Sequence, residues 1–225
     1  MIADIIVEED GSRRSINSRA IDLGGLHVDP ALIGRPRLVS LASLFRAPLD
    51  HPKAVRDLAE AAKKAGAILC ADTKIPVYRR ISLSDFAEVL PLVDYIFPNE
   101  NEAAYYSGRT LTGSEEEKDF EEMADAFLDR GVRNVVIKTG PRGCFYKGEE
   151  GSFSLPSLPV KAVDTTGAGD NFVSGFVTGL LEGGSALHAC RLGTACAALS
   201  IGSVGTTSGV DSRESVRALY ETYFS

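Results

Sequence analysis

Basic residues are outnumbered in this 225-residue chain, 24 lysines and arginines against 31 aspartates and glutamates, for a formal charge of −7. That balance gives no electrostatic case for nucleic acid or an anionic membrane surface as a partner. Histidine is scarce, with only His27, His51 and His188. The four cysteines, Cys70, Cys144, Cys190 and Cys196, form no CxxC pair, so the sequence offers no zinc-ligand cluster. Buried free thiols in a reducing compartment are the expectation. No apolar run approaches the roughly 20 residues that a membrane-spanning helix needs. Met1-Ile2-Ala3-Asp4 also lacks the basic and apolar regions of a signal peptide. A cytoplasmic location with no membrane partner is expected.

What is present is ordinary globular composition, 44% hydrophobic and 24% charged, on a chain long enough for one large α/β domain or two small ones. Ile5-Ile6-Val7 reads as a short strand, and residues 12 to 20 as a second strand returning beside it. From Leu38 the pattern becomes regular. Leu38–Leu41, Ala67–Ala71, Val93–Phe97 and Val135–Ile137 read as buried strands. Helices are predicted over His51–Gly66, a short stretch at Ser84–Leu90, and Asn99–Tyr106. Another carries an apolar stripe of Phe120, Met123, Phe127 and Leu128 behind a capping box of Ser114 and Glu117. Gly143–Tyr146 and Ser152–Leu155 read as a hairpin. Three closing helices cover about Ala168–Leu181, Ala186–Ser200 and Arg213–Tyr223, the last capped by Asp211 with Glu214. Strand–helix alternation with unbroken apolar strands implies a mostly parallel sheet covered on both faces. Asp72, Asn99 and Lys138 each follow a predicted strand, so they should converge on the carboxyl edge where such sheets bind ligands.

One stretch concentrates the chemistry: Asp164-Thr165-Thr166-Gly167-Ala168-Gly169-Asp170-Asn171-Phe172, continuing into Val173-Ser174-Gly175-Phe176. Its glycines allow a sharp turn that brings N–H groups to an anion, and the helix beyond adds its positive end. Asp170, in the first helical turn, is placed to accept a proton from a substrate hydroxyl. A tight turn with an acid on a helix dipole would leave the same short pattern, so GxGD alone does not decide. Pro98-Asn99-Glu100-Asn101-Glu102 puts Asn99 and Glu102 on one helical face, as would any Asn-capped helix start. Lys138-Thr139-Gly140-Pro141-Arg142-Gly143 is good turn chemistry at a strand end.

In family order, these motifs resemble those of the ribokinase-like (PfkB) carbohydrate kinases. The fold so implied is α/β, a three-layer αβα sandwich with a mostly parallel central sheet. The resemblance implies Gly167, Ala168 and Gly169 as an anion hole, Asp170 as catalytic base, and Asp164 and Thr166 as monovalent-cation positions. It implies that Asn99 and Glu102 organise Mg²⁺ through water. Lys138, Thr139, Gly140 and Gly143 would face the nucleotide's phosphates and sugar, with Thr194, in Gly193-Thr194-Ala195, beside the adenine, although small residues there equally suit close helix packing. Lys138 stands where the family more often has threonine, and a lysine there offers charge to a phosphate. Asp72-Thr73-Lys74 stands where many members have Asp-Pro-Asn, and Lys74 could face the transferring phosphate or solvent. The implied cofactors are ATP and Mg²⁺, with K⁺ where the cation site is used. The partners are the nucleotide and a small sugar-like substrate, with a homodimer through an exposed sheet or lid edge as a further expectation.

The family's amino-terminal features, a first nucleotide-fold strand, a sugar-gripping Asp and a Gly-Gly-Asn-type loop, find no match; Gly24-Gly25 is followed by Leu26-His27. Residues 1–225 are therefore expected to form a single ribokinase-like domain, incomplete at its amino end, with 1–25 a remnant of lid strands. The expected activity is transfer of the γ-phosphoryl group of ATP to a sugar hydroxyl. A non-catalytic nucleotide-binding remnant and a nucleoside kinase are the alternatives.

Overall fold

A computed structural model describes residues 3–7, 13–17, 34–77 and 79–225. Strands β1 (Ala3–Val7) and β2 (Arg13–Asn17) pair antiparallel, as the sequence suggests. The chain forms two compact units.

The first unit, whose described part begins at Gly34 and runs to Thr139 with Phe145–Ser154 added, is built on a six-stranded sheet. Its strands are β3 (Leu38–Leu44), β4 (Ile68–Thr73), β5 (Tyr95–Phe97), β6 (Asn134–Lys138), β7 (Cys144–Gly148) and β8 (Gly151–Leu155), in that spatial order. The first four are parallel neighbours. Only two residues separate β7 from β8, a connection short enough for an antiparallel hairpin and for nothing parallel. The architecture is therefore α/β with a mixed, mostly parallel sheet.

Helix α1 (Pro52–Lys64) starts on a proline, whose fixed φ suits the first helical position, and carries Lys63 and Lys64 where they oppose the helix dipole. It buries Val55, Ala59 and Ala62. Helices α2 (Glu100–Ser107) and α3 (Glu117–Leu128) follow, α3 burying Phe120, Met123, Ala124 and Phe127. With Leu69, Phe86, Ile96 and Ile137 these side chains form one apolar core. Two buried polar residues fasten the strands inside it. Asp94 accepts from the Leu69 N–H at 2.8 Å and from Lys63 Nζ at 2.5 Å. Asn134 donates to the Asp94 carbonyl at 2.9 Å and accepts from the Tyr146 hydroxyl at 2.6 Å.

The second unit holds Gly140–Cys144, Leu155–Ser225 and the amino-terminal hairpin. Its helices are α4 (Ala168–Leu181), α5 (Ala186–Ser200) and α6 (Arg213–Phe224). Helices α4 and α5 meet through bare backbone. A methyl group added at Gly175 would lie 2.7 Å from the Leu192 carbonyl, and one at Gly193 equally close to that of Phe172.

Three local expectations are corrected. The short helix at Ser84–Leu90 is instead two 3₁₀ turns, Leu83–Phe86 and Leu90–Leu92. Pro91 disfavours α conformation at Leu90 and offers no donor, so the segment cannot continue as one helix. The capping box of α3 is Glu116 with Asp119, not Ser114 with Glu117. Glu115 folds back onto the Gly113 N–H at 2.9 Å, which holds the segment before α3 as a turn. Helix α6 is capped by Ser212, which accepts from the Ser215 N–H at 3.0 Å, rather than by Asp211. Among the described residues no helix is long and apolar enough to cross a membrane.

Because Gly175 lets α4 and α5 touch, Gly175→Ala is expected to destabilise the protein by about 1–3 kcal/mol through overpacking. A lowered urea midpoint with an unchanged denaturant slope would show it.

Candidate active site

The carboxyl edge of the parallel strands gathers the residues that the sequence placed there. Asp72, one residue before the end of β4, is buried, and the Lys138 ammonium at the end of β6 pairs with its Oδ1. Lys74 Nζ donates to Asp72 Oδ2 at 3.0 Å and lies 3.9 Å from Glu102 Oε1. Two ammonium groups thus oppose two carboxylates. A carboxylate buried this deeply would be costly without such partners.

Asn99 and Glu102 form a reciprocal cap on α2. The Asn99 side chain accepts from the Glu102 N–H at 2.9 Å, and Glu102 Oε2 accepts from the Asn99 N–H at 2.9 Å. The Thr73 hydroxyl, wholly buried, donates to the same Oε2 at 2.9 Å. Glu102 is 3% exposed, and burial pushes its carboxyl above the usual range, against the opposing pull of Lys74, Lys138 and the Asn99 N–H. The sequence alone assigns Thr73 no role. Its only signal was a hydroxyl directly after an apolar strand and its terminal acid.

In the second unit, Gly167 caps α4 with φ +80°, a conformation that an L side chain resists, and a methyl group there would lie 2.7 Å from the Thr206 carbonyl. The Ala168 N–H turns back to the Thr165 carbonyl at 3.2 Å. Gly167, Gly169 and Asp170 supply the remaining amides that a helix start leaves without intrahelical acceptors. Asp170 is exposed at this end of α4. Asn171, to which the sequence alone gives no role, braces the turn by donating to the carbonyls of Gly167 at 2.9 Å and Thr206 at 2.7 Å.

Asp164 is buried, and its two oxygens accept from the N–H groups of Thr166 and Gly205, each at 2.9 Å. The hydroxyls of Thr166 and Thr194 are buried without a hydrogen-bond partner among the described residues. Such groups are uncommon and costly unless a ligand or water completes them. An oxygen-seeking cation beside Thr166 and Asp164 fits that donor set. Thr194 lines a largely apolar cavity of about 280 Å³ with Gly140, Gly143, Ala168 and Phe172. Residues from three separate motifs therefore share one cavity. The small residues of Gly193-Thr194-Ala195 serve helix packing at Gly193 and the cavity wall at Thr194.

Residues 5–213 match the family model described as pfkB family carbohydrate kinase. The chain belongs to that family. It is 39% identical over 132 residues to a ribokinase of Haemophilus influenzae, covering 59% of this chain and 42% of that protein. It is 31% identical over 215 residues to a ribokinase of Schizosaccharomyces pombe, covering 94% of this chain and 64% of that one. An Escherichia coli protein assigned as a ribokinase II and solved with ATP and Mg²⁺ superimposes with a TM-score of 0.75 at 25% identity, over 98% of this chain and 71% of that one. The chain thus spans less than two thirds of the length of these two curated relatives.

Since burial raises the Glu102 carboxyl, protonation favours the folded state, and stability from this group is lost as pH rises through its raised titration range. Glu102→Gln is expected to remove that loss, because an amide oxygen can still accept from Thr73 and Asn99 without carrying charge. Urea midpoints of both proteins between about pH 4.5 and 8 check this, the curves converging toward the acid end.

Proposed function

We propose that this chain is an ATP-dependent kinase of a sugar or sugar-like alcohol. The observation that carries the reading is the shared cavity, where Gly140 and Gly143, Ala168 and Thr194 meet although they lie far apart in sequence. Its apolar walls suit a purine base, and it begins where α4 offers amides to phosphate.

Phosphoryl transfer asks little covalent chemistry of a protein; positioning and charge stabilisation supply most of the rate. The Gly167 and Gly169 N–H groups would hold the phosphate oxygens as negative charge builds on them, with the positive end of α4 behind them. Asp170, exposed beside those amides, would accept the proton of the attacking hydroxyl. Mg²⁺–ATP, when bound, supplies the phosphoryl group and part of the charge neutralisation.

Glu102 would orient metal-bound water through Oε1, since Oε2 is held by Thr73 and Asn99. Lys74 and Lys138 keep Asp72 neutralised, and the positive charge they give the carboxyl edge of their own unit would suit an anion. Asp164 would keep the loop around Thr166 in shape and, with the Thr166 hydroxyl, hold a monovalent cation such as K⁺.

Asp170→Asn is expected to lower turnover by about 10²–10⁴-fold while leaving Mg²⁺–ATP affinity unchanged. Single-turnover assays over a panel of sugars and nucleosides, with calorimetric ATP titration of both proteins, make the test. Undiminished turnover in the variant would remove Asp170 from the base role. Binding of ATP without turnover on any acceptor would reduce the chain to a nucleotide-binding protein.

A further inference from the structure

The end of β3 carries a distortion of its pairing with β4. Leu41 pairs with Ala71 and Leu44 with Thr73, so three residues of β3 advance against two of β4. This is a bulge, a device that re-aims side chains at strand ends. Ser43 and Phe45 both adopt positive φ, +72° and +73°. Left-handed backbone is unfavourable for an L residue, and a bulky aromatic there is a true outlier. The conformation is held by packing, because the Phe45 ring is fully buried, edge-on to Phe86 at 4.9 Å and tilted against Tyr106 at 4.6 Å. Tight turns also hold it: the Arg46 N–H donates to the Ser43 carbonyl at 3.1 Å, and the Leu49 N–H to the Arg46 carbonyl at 2.7 Å.

The strained segment presents Arg46. Its guanidinium donates once, through Nη2 to the Ile75 carbonyl at 3.1 Å; its Nε is buried without an acceptor, and no described residue forms an ion pair with it. The acids of this unit's carboxyl edge are otherwise engaged. Asp72 is taken by Lys74 and Lys138, Glu102 by Thr73 and the Asn99 N–H, and Asp50, whose Oδ1 makes no hydrogen bond among the described residues, lies in ion-pair range of His51 at 3.4 Å and Arg79 at 3.7 Å. A half-buried guanidinium thus keeps its charge and most of its five donors uncommitted, at the strand ends where sheets of this type bind ligands. Holding one loop carbonyl does not require an arginine. The planar fork matches a carboxylate or phosphate.

We propose that Arg46 is a specificity residue selecting an acceptor that carries its own negative charge, a phosphorylated or carboxylated sugar. The assignment rests on the kinase reading for its substrate but not for its test, which measures acceptor binding without nucleotide. Calorimetry on the intact chain would compare ribose, ribose 5-phosphate and ribonate, one carbon skeleton in neutral, phosphorylated and carboxylated form, with inorganic phosphate as a fourth titrant.

At least one of the two anionic sugars is expected to bind about tenfold or more tightly than ribose, and the preferred one names the anion. Arg46→Gln should abolish that preference and Arg46→Lys retain part of it, with Mg²⁺–ATP affinity unchanged in both. Equal affinity for ribose and both anions, no binding of any sugar, binding of inorganic phosphate as tightly as of the sugar anions, or an anion preference surviving in Arg46→Gln would each overturn the proposal. The wild-type comparison decides even if a variant fails to fold. Failure of the kinase reading would appear separately, as absent turnover in the presence of a bound anionic sugar.

Discussion

Offsetting the burial of two carboxyl groups where the parallel strands end is the constraint on which the first unit's candidate site depends. Asp72 and Glu102 sit at 4% and 3% exposure, and buried carboxylates neutralise or destabilise the fold unless positive charge and donors meet them. Lys74, Lys138, Thr73 and the Asn99 N–H supply both. Removing one partner of such a buried pair typically costs about 3–5 kcal/mol, so these residues shape the fold as well as the chemistry. The same demand explains why the cap of α2 is reciprocal: it fixes the Glu102 carboxylate while completing the start of the helix.

The second unit solves a different problem with different means. It presents backbone amides and needs little side-chain charge to do so. Gly167 sets the turn, Asn171 ties it to Thr206, and Asp164 holds the flanking loop through Gly205. Exposed Asp170 is left as the ionisable group at the helix head. In the proposed roles, Asp170 as a base would gain from its exposure, and Glu102 as a carboxylate orienting a cation would gain from its rigidity.

Much of this was legible in the sequence because the signals were local. Apolar runs at Leu38, Ile68 and Val135 named their strands, and the glycines around Ala168 announced a turn before a helix. Caps were less legible: Ser114, Glu116, Asp211 and Ser212 are all competent, and neighbouring hydrogen bonds decide among them. The pairing of Lys138 with Asp72 joins residues 66 apart and could not be read from spacing. Nor could the positive φ of Ser43 and Phe45, since neither is a residue that favours it. Strain of this kind is imposed by tertiary packing and leaves no mark in composition.

The glycine contacts between α4 and α5 have a consequence for motion. Helices separated by side chains can shift by rotating those side chains, but helices whose backbones touch have nothing between them to rearrange. Gly175 and Gly193 therefore make the pair a single rigid lever, with the Gly167 turn at one end. Displacement of that turn would have to be absorbed in the flanking loop, through Thr166, Gly205 and Thr206, rather than along the helix. Amide exchange would then separate a slow, cooperative helix pair from a faster loop that meets it at Gly167.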